Sequence, residues 1–479
     1  MRGKMKMIKF GTGGWRAVIG DEFTKENVQI LAQAISSKMK DEHLEGSGIV
    51  LGYDRRFLSK EAMQWAAVVF AANGIKASLI NKSSPTPLVM FYVMKHDLPY
   101  GMMVTASHNP AIYNGIKLFT KEGRDADETV TADVERYIEE VALPVKSMDY
   151  EEAKALGFIE EFYPINEYID NILDRVNVDA IRAAGLKVAL DPMYGVSETA
   201  IKTILLTARC EMETIHSRHD TLFGGKLPAP NEGAMSPLMT CVKDYHCDIG
   251  IATDGDADRI GVVDDKGRYL SPNDILVLLY YYLVKYRHEK GPVVRNLCTT
   301  HMLDRIAKEF GEECYEVPVG FKHISAGITE HNALIGGESS GGLTVRGHIN
   351  GKDGVYAAAL LVEMLAVTGR KISQIYDDIR SEFGHFYMVE KNFSFKASKK
   401  SEYQKILMED KLLPQFPVET LKTSYMDGCK VYFKNGGWVC ARFSGTEPLL
   451  RIFCEMDDMD LAEDICRIFR DFLGLEVEQ

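Results

Sequence analysis

Apolar residues recur along the chain in two spacings, and each spacing predicts one kind of element. Short continuous apolar runs are typical of buried β-strands, and a spacing of three to four residues is typical of amphipathic helices. The apolar positions of the first predicted helix are Val28, Leu31, Ile35 and Met39. Thr24 precedes them as a candidate cap, and Ser59 is a candidate cap for a helix to residue 72. The runs predicted as strands are residues 49–54, 77–80, 101–105, 187–191, 248–253 and 292–296.

Strands that alternate with helices predict parallel sheets covered by helices on both faces. After residue 391 the pattern changes, because residues 430–433, 437–443 and 449–455 are strand-like runs separated by turns, which suggests antiparallel pairing. We therefore predict an α/β protein of four domains with a smaller last domain. The predicted boundaries are 1–150, 151–260, 261–385 and 386–479.

Composition places the chain among ordinary globular proteins, since 46% of its residues are hydrophobic and 26% are charged. Its 479 residues leave room for about three or four domains. With 56 Lys plus Arg against 69 Asp plus Glu, the net charge is −13, which argues against nucleic-acid binding and against docking on anionic membranes. An anionic small substrate would need a local cluster of cations inside a cleft.

The cysteines and the apolar runs bear on the cellular compartment. The nine cysteines are scattered without a Cys-x-x-Cys pair, which argues against a disulfide framework or a zinc site and favours a reducing environment. Residues 1–10 lack the apolar stretch of a signal peptide, and the longest apolar run, 275–284, is too short to span a bilayer. We expect a cytoplasmic protein with no membrane partner.

A first candidate site is residues 105–110, Thr-Ala-Ser-His-Asn-Pro, directly after a predicted strand. Ligands of α/β folds bind beyond the carboxyl ends of strands. Ser107 beside His108 could supply a nucleophile and its proton partner, although adjacency alone also fits a turn closed by Asn109 and Pro110. Lys117 places a cation within reach of this loop.

A second candidate site is the acidic loop of residues 254–259, Asp-Gly-Asp-Ala-Asp-Arg. Alternate carboxylates in an extended loop point the same way, and oxygen ligands without Cys or His favour a hard cation such as Mg²⁺. An EF-hand would need Gly and Glu where this chain has Arg259 and Asp265. A merely solvated acidic turn is the remaining alternative, but clustered carboxylates repel one another unless something neutralises them.

Two further loops suit a sugar and a phosphate. Residues 336–342, Gly-Gly-Glu-Ser-Ser-Gly-Gly, place Glu338 and Ser340 among glycines that permit close approach to a ligand. Residues 442–448, Arg-Phe-Ser-Gly-Thr-Glu-Pro, join Arg442 to a turn whose N–H and hydroxyl groups suit an anion, and Arg451 follows. Each of these loops in isolation would be interpreted as an ordinary turn.

Two weaker features accompany these loops. Residues 10–16 are glycine-rich and end in Arg16, and Lys322 with His323 follows Gly320. A lone Lys–His pair is more often an ordinary surface feature than a site.

In this order and at these separations, the TASHNP, DGDADR, GESSGG and RFSGTEP motifs resemble those of the α-D-phosphohexomutase family, which includes phosphoglucomutases and phosphomannomutases. The resemblance extends from the FGTGGWR segment to the last motif. It implies four domains around a central cleft: three similar mixed α/β sandwich domains and a smaller C-terminal α+β domain. Each domain would contribute one loop to the cleft.

The resemblance also implies a role for each motif residue. The implied Mg²⁺ ligands are Ser107, as a phosphoserine, and Asp254, Asp256 and Asp258. The residues implied to lie near that phosphate are Arg16, His108, Lys117 and Arg259. The implied contacts to the sugar and its phosphate are Lys322, His323, Glu338 and Ser340. The implied site for the non-reacting phosphate is Arg442, Ser444, Gly445, Thr446 and Arg451.

The implied reaction is the interconversion of glucose 1-phosphate and glucose 6-phosphate. Ser107 would donate its phosphoryl group to a free hydroxyl, and the other phosphate of the resulting hexose 1,6-bisphosphate would return to it. Glucose 1,6-bisphosphate would act as an activator. The general acid or base is left open among Lys117, His108 and Lys322. The GESSGG motif departs from the GEMSGH and GEQSGH forms of the phosphomannomutase/phosphoglucomutase and phosphoglucosamine mutase enzymes. It resembles glucose-type forms with Ser at the third position after Gly337, and together with the RFSGTEP motif this favours glucose.

Several alternatives stay open. Within the family the chain could be a phosphomannomutase or a bifunctional phosphomannomutase/phosphoglucomutase. A Mg²⁺-dependent phosphatase would share the serine and the acidic loop. A non-catalytic sugar-phosphate binding protein would have no need of a phosphorylatable serine. We expect a hexose phosphate as the substrate and a monomer or homodimer.

Overall fold

Four β-sheets, each with its own helices, organise the chain. The structure is a computed structural model that describes residues 8–11, 13–444 and 448–475. The sheets follow one another in sequence order, so that the chain builds four α/β units from its N-terminal to its C-terminal end.

The first sheet carries the Ser107 loop and mixes parallel with antiparallel strands. Its strands are β1 (Trp15–Val18), β2 (Ile49–Tyr53), β3 (Ala77–Ile80), β4 (Tyr100–Val104), β5 (Tyr113–Thr120), β6 (Arg124–Asp125) and β7 (Ile159–Phe162). Its helices are α1 (Lys25–Asp41), α2 (Ser59–Ala72), α3 (Thr86–Lys95), α4 (Glu128–Glu140) and α5 (Tyr150–Ala155). The strand order is β1-β5-β4-β2-β3-β7, with β6 beside β5, and β5 is antiparallel to both β1 and β4.

The two predicted helix caps, Thr24 and Ser59, can be compared with the N-termini of α1 and α2. Thr24 caps α1, because its side chain accepts a hydrogen bond from the amide of Asn27 as predicted. Ser59 was the wrong cap for α2: it is the first helical residue, and its hydroxyl donates to Asp54 Oδ1 at 2.8 Å. The hydroxyl of Ser59 binds the buried Asp54 and not the helix backbone. The sequence of the helix alone does not reveal this contact.

The second sheet carries the acidic loop. Its strands are β8 (Lys187–Asp191), β9 (Glu211–Thr214), β10 (Ile249–Thr253), β11 (Ile260–Val263) and β12 (Tyr269–Leu270). Its helices are α6 (Ile165–Leu173), α7 (Val178–Ala184), α8 (Glu198–Thr207) and α9 (Ser236–Asp244). The order is β12-β11-β10-β8-β9; β8, β9 and β10 are parallel, and β11 is antiparallel to β10.

The third sheet carries the Glu338 loop. Its strands are β13 (Val293–Asn296), β14 (Cys314–Val317), β15 (Ile335–Gly337) and β16 (Leu343–Val345). Its helices are α10 (Pro272–Lys285), α11 (Met302–Glu309), α12 (Phe321–His331), α13 (Gly354–Thr368) and α14 (Ile372–Phe383). The order is β14-β13-β15-β16, in which only the pair β15–β16 is antiparallel.

The fourth sheet is antiparallel throughout, as the change of pattern after residue 391 suggests. Its strands are β17 (Tyr387–Ser394), β18 (Thr420–Ser424), β19 (Cys429–Phe433), β20 (Trp438–Phe443) and β21 (Leu449–Met456), in the order β17-β21-β20-β19-β18. Its helices are α15 (Lys400–Gln404) and α16 (Met459–Leu473).

One local arrangement recurs in all four sheets. Each predicted functional loop joins two neighbouring antiparallel strands, namely β4 to β5, β10 to β11, β15 to β16 and β20 to β21. The first three sheets are therefore mixed: the strand before each loop has a parallel neighbour, as predicted, and the strand that follows each loop is antiparallel to it. A hairpin keeps a short loop directly at the edge of a rigid sheet, where its polar groups are held in place.

Two predicted boundaries shift relative to the sheets. The first sheet includes β7, so residue 150 lies before its last strand. The second sheet includes β11 and β12, because β11 returns alongside β10 instead of opening a new unit, so residue 260 lies inside this sheet. The boundary at 385 lies between α14 and β17.

The apolar core is continuous across the first three units. One cluster of buried side chains includes Val50 of the first sheet, Leu190 of the second and Leu361 of α13. The apolar run 275–284 lies in α10 and is buried within the protein along its whole length. In the part of the chain that the structure describes, no helix has the length and apolarity needed to cross a bilayer.

Candidate active site

Ser107 lies in the hairpin between β4 and β5 with 1% of its surface exposed. Its φ of 52° is in the left-handed region, which residues other than glycine rarely adopt. Its amide donates to Thr105 Oγ1 at 2.8 Å, and its hydroxyl donates to Asp254 Oδ2 at 2.7 Å. The serine of the first predicted loop therefore contacts the first carboxylate of the second.

The three aspartates of the acidic loop form one buried cluster. Asp254, Asp256 and Asp258 each offer an oxygen, and these atoms lie within 4.8 Å of one another. Thr86, at the start of α3, donates its hydroxyl to Asp256 Oδ2 at 2.6 Å and its amide to Asp256 O at 2.9 Å. A helix of the first domain thereby fixes the acidic loop of the second.

Two lysines neutralise part of this cluster. Lys117 on β5 donates to Asp256 and Asp258 at 2.6 Å each, and Lys352 lies 3.0 Å from Asp258. Burial opposes the charge of Lys117, but the two carboxylates outweigh it and raise the pKa of the amine. Burial likewise acts to raise the pKa of Asp258, but Lys117 and Lys352 outweigh it and hold that pKa well below its usual range.

The remaining electrostatic imbalance fits a divalent cation. Burial, together with Asp256 and Asp258, raises the pKa of Asp254 well above its ordinary value. Asp256 Oδ1 and Asp258 Oδ1 are buried without a hydrogen-bond partner among the described residues. Unpaired buried carboxylate oxygens are costly, and a hard cation prefers such donors. The donor set, which includes Ser107, thus suits Mg²⁺.

Predicted cations and an imidazole flank the serine. His108 Nδ1 lies 3.3 Å from Ser107 Oγ. Burial, followed by Arg259 and Arg16, lowers the pKa of His108 to about 2, so the imidazole is neutral. Arg16 Nη1 donates to Asn109 Oδ1 at 2.6 Å, which ties the N-terminal glycine-rich segment to the serine loop. Guanidinium groups in this position suit a phosphoryl group on the serine.

The loop of residues 336–342, predicted to contact a sugar, lies beside the acidic loop. Glu338 Oε1 accepts hydrogen bonds from Asn296 Nδ2 at 3.1 Å and from the amide of Gly320 at 2.9 Å. Glu338 Oε2 contacts Ser340 Oγ at 3.5 Å. Arg259 Nη1 donates to Ser340 O at 3.5 Å. One oxygen of Glu338 is thus used for positioning, and the other retains acceptor capacity for a hydroxyl group.

Lys322 and His323 lie in the first turn of α12. Lys322 forms an ion pair with Glu128, the first residue of α4, and so links the third domain to the first. His323 is partly buried, and burial together with Lys322 lowers its pKa. These two residues therefore lie on the side of the site where the first and third domains meet.

The fourth loop is joined to the third domain through one carboxylate. Arg442 Nε donates to Asp427 Oδ2 at 2.9 Å, and the same oxygen accepts from the amide of Val319 at 3.0 Å. Val319 precedes Gly320, whose amide donates to Glu338. Direct contacts therefore connect the first loop to the second and the second to the third, and Asp427 with residues 319–320 links the third loop to the fourth.

The other predicted residues of the fourth loop differ in exposure. Arg451 lies opposite Arg442 in the β20–β21 pair and is exposed. Ser444 is partly buried, and its amide donates to Leu449 O at 2.8 Å. Gly445 and Thr446 lie outside the described residues.

Sequence reasoning missed several residues of this site. Lys352, Thr86, Asn296 and Asp427 belong to none of the four motifs. Lys352 directly precedes Asp353, which caps α13, so the local sequence signals a helix start and not a site. Residues that reach a site from the flank of an element leave no spacing pattern that could reveal them.

Comparison with known families covers nearly the whole chain. Residues 7–144, 166–267 and 271–383 match the models described as phosphoglucomutase/phosphomannomutase, alpha/beta/alpha domain I, domain II and domain III. Residues 404–472 match the phosphoglucomutase/phosphomannomutase C-terminal domain.

Individual relatives match from end to end. A phosphoglucomutase/phosphomannomutase of Thermococcus kodakarensis is 29% identical over 460 residues, which cover 95% of this chain and 96% of the relative. A protein of Methanopyrus kandleri named "probable phosphoglucosamine mutase" is 30% identical over 475 residues, which cover 98% of each chain. A crystal structure from Thermus thermophilus, described as a phosphomannomutase, superposes with a TM-score of 0.84 at 26% identity, covering 98% of this chain and 99% of that one.

Proposed function

Because the chain belongs to the phosphoglucomutase/phosphomannomutase family, and is thus a phosphohexomutase, we propose that it interconverts glucose 1-phosphate and glucose 6-phosphate. The reaction runs through phosphorylated Ser107 and a glucose 1,6-bisphosphate intermediate, which also serves as the activator. The observation that carries the proposal is the 2.7 Å contact between Ser107 Oγ and Asp254 within a buried cluster of three aspartates.

Each step transfers one phosphoryl group and one proton. The P–O bond to Ser107 Oγ breaks as a bond forms to a free hydroxyl of the sugar phosphate; the hydroxyl proton passes to a base, and the leaving Ser107 Oγ takes up a proton. In the second half, the P–O bond to the other phosphorylated oxygen of the sugar breaks as a bond forms to Ser107 Oγ; the serine proton passes to a base, and the leaving sugar oxygen takes up a proton. Bound Mg²⁺ would neutralise charge on the transferring group.

The residues of the chain divide this work. We assign Arg16, His108 and Arg259 to the phosphate on Ser107, because Arg16 donates to Asn109 of the serine loop, His108 lies beside Ser107 Oγ, and the amide of Arg259 donates to Asp254. Lys117 neutralises two of the carboxylates that would hold the cation. Glu338 and Ser340 bind sugar hydroxyls. The non-reacting phosphate is bound by the fourth-domain site, and Lys322 and His323 complete the sugar-phosphate contacts. The residues assigned to the fourth-domain site are Arg442, Ser444, Gly445, Thr446 and Arg451.

The test is Ser107→Ala, assayed with glucose 1-phosphate, Mg²⁺ and catalytic glucose 1,6-bisphosphate. We expect loss of glucose 6-phosphate formation and of labelled phosphate on the protein. Ser236→Ala, at an exposed position of α9, is the matched control. Conversion retained by Ser107→Ala would refute the role of the serine, whereas inorganic phosphate released in proportion to turnover by the unaltered protein would indicate a phosphatase.

Glucosamine 1-phosphate is the second candidate substrate. Several relatives, among them the Methanopyrus kandleri protein, are named phosphoglucosamine mutases. Side-by-side kcat/KM values for the 1-phosphates of glucose, mannose and glucosamine decide the specificity. We expect the highest value for glucose, and a higher value for glucosamine or mannose would overturn the glucose assignment but leave the phosphoserine chemistry intact.

A further inference from the structure

Arg56 is a buried arginine next to the active site that belongs to none of the motifs discussed above. It follows β2 in the segment Gly-Tyr-Asp-Arg-Arg, residues 52–56, and is 3% exposed. Its guanidinium donates to four backbone carbonyls, all in the serine loop or directly after it. The acceptors are Ser107 O at 2.7 Å, Asn109 O at 2.6 Å, Pro110 O at 2.9 Å and Tyr113 O at 3.0 Å.

Asp54 completes this arrangement from the other side of the serine. It accepts hydrogen bonds from the amide of Arg56 at 2.9 Å, from Ser59 Oγ at 2.8 Å and from Thr105 Oγ1 at 2.7 Å. Thr105 Oγ1 in turn accepts from the amide of Ser107 at 2.8 Å. Arg56 thus holds the carbonyl of Ser107, and Asp54 holds its amide through Thr105.

This two-sided hold matters because the backbone of Ser107 is in a disfavoured conformation. A φ of 52° is sparsely populated for a serine and persists only where the surroundings over-determine it. In this conformation the hydroxyl reaches Asp254 at 2.7 Å. If the carbonyl contacts were lost, the peptide could relax toward common backbone angles, and Oγ would leave the acidic loop.

The same carbonyl also contacts the acidic loop. A Cβ atom added at Gly255 would lie only 2.8 Å from Ser107 O, so the two loops pack backbone to backbone at this point. On its other side, the guanidinium of Arg56 has its Cζ 4.9 Å from the ring centroid of Phe223, a residue of the second domain. Arg56 therefore sets the spacing between the serine loop and the acidic loop.

We propose that Arg56 is the positioning residue for phosphoryl transfer: it holds the left-handed Ser107 backbone so that Oγ is aimed at the cation site. The proposal rests on the proposed function of Ser107. A planar guanidinium with five donors in a fixed fork can serve several carbonyls at once, whereas a lysine ammonium is a compact donor on a flexible stem. Asp54 orients Arg56 and Thr105 in this role.

The experiment compares Arg56→Lys with Arg55→Lys, because the two neighbouring arginines have different acceptors. Arg55 donates to Ser217 O at 2.8 Å and to Tyr194 O at 3.4 Å, both in the second domain. We expect Arg56→Lys to lower kcat about 100-fold, the cost of roughly 1 Å of misplacement, with little change in KM for glucose 1-phosphate. Arg55→Lys should retain the kcat of the unaltered protein.

Turnover is expressed per labelled serine, so that misfolded molecules do not count. Labelled glucose 1,6-bisphosphate gives the fraction of chains that accept phosphate on Ser107, and kcat is divided by that fraction. A purely structural Arg56 would lower the labelled fraction and leave turnover per labelled serine unchanged, which would overturn the proposal. An equal loss in Arg55→Lys would overturn it as well.

Asp54→Asn is the second variant, for the case in which Arg56→Lys yields too little folded protein. We expect a smaller fall in turnover per labelled serine, because the amide keeps one acceptor but loses the charge. Unchanged turnover in that variant would contradict the positioning role. If the unaltered protein itself takes no label on Ser107, the proposed function fails, and that result is distinct from a failure of the Arg56 proposal.

Discussion

The two ends of the active site differ in how firmly their side chains are held. At the serine–metal junction, formed by Ser107, the three aspartates and Lys117, these side chains are all buried and pair with one another at 2.6–2.7 Å. At the clamp, formed by Arg442, Arg451 and Lys322, the side chain of Arg442 is 22% exposed and Arg451 is exposed. The side chain of Lys322 is 15% exposed and pairs with Glu128, whose side chain is 80% exposed.

This difference corresponds to two kinds of task. Charge that develops during phosphoryl transfer is stabilised best by groups fixed in advance in a dry site, because little reorganisation is then needed. In the proposed reaction the clamp, in contrast, must release and rebind a phosphate when the bisphosphate turns over. Partly exposed cations suit that exchange, since they bind an anion with a smaller desolvation cost than fully buried ones.

Asp258→Asn tests the serine–metal junction and should have the largest effect. It removes one charge from a buried cation site without changing its volume, and we expect kcat to fall about 100- to 1,000-fold, with a higher Mg²⁺ requirement. Steady-state rates over a Mg²⁺ titration measure both effects. Asp264→Asn, a buried acid at the far end of β11, is the control and should retain the kcat. An unchanged Mg²⁺ dependence in Asp258→Asn would contradict the assignment of Asp258 to the cation site.

Arg442→Gln probes the clamp and should act on binding more than on chemistry. Hydrogen bonds to charged groups contribute about 1.5–3 kcal/mol, so we expect KM for glucose 1-phosphate to rise about 10- to 100-fold. Arg467→Gln on α16, which pairs with Asp464, serves as the surface control. A fall in kcat with unchanged KM would show that the two ends do not divide binding from chemistry.

Glu338→Gln tests the proposed contact to the sugar hydroxyls, between the two ends of the site. The amide oxygen can still accept from Asn296 and Gly320, but its other end becomes a donor. We expect kcat/KM to fall about tenfold, by analogy with the 1–3 kcal/mol of discrimination that a single pocket contact supplies, with a changed ratio between glucose and glucosamine 1-phosphates. Parallel kcat/KM measurements with both sugars give the ratio. An equal fall in kcat/KM for both sugar phosphates would mean that Glu338 positions the loop and does not distinguish the two sugars.

Glu128→Gln should have the smallest effect. Exposed ion pairs contribute at most about 1 kcal/mol, so releasing Lys322 should lower KM by less than about fivefold. Raising the ionic strength should erase the difference between the variant and the unaltered protein, because salt screens exposed charges. A large fall in kcat would instead place Glu128 in the reaction itself.

The local sequence pattern predicted much of the fold, and each prediction that failed has a specific physical cause. Residues 77–80 and 187–191 form strands with the predicted bounds, each around a short apolar stretch that is buried in its sheet. Ser59 failed as a cap because Asp54, five residues earlier, binds its hydroxyl. The antiparallel strands that follow the first three functional loops, β5, β11 and β16, were missed, since nothing local to a strand specifies the direction of its neighbour.

The sequence alone determined that four polar loops follow apolar strands, and which residue types each loop carries, because motif spacing and composition are properties of the chain. The packing of the folded chain, in contrast, brings the Ser107 hydroxyl to Asp254, Lys352 to Asp258 and Arg56 to its four carbonyls. These contacts join residues far apart in the chain, and their geometry depends on how the sheets pack against one another, which no local pattern encodes.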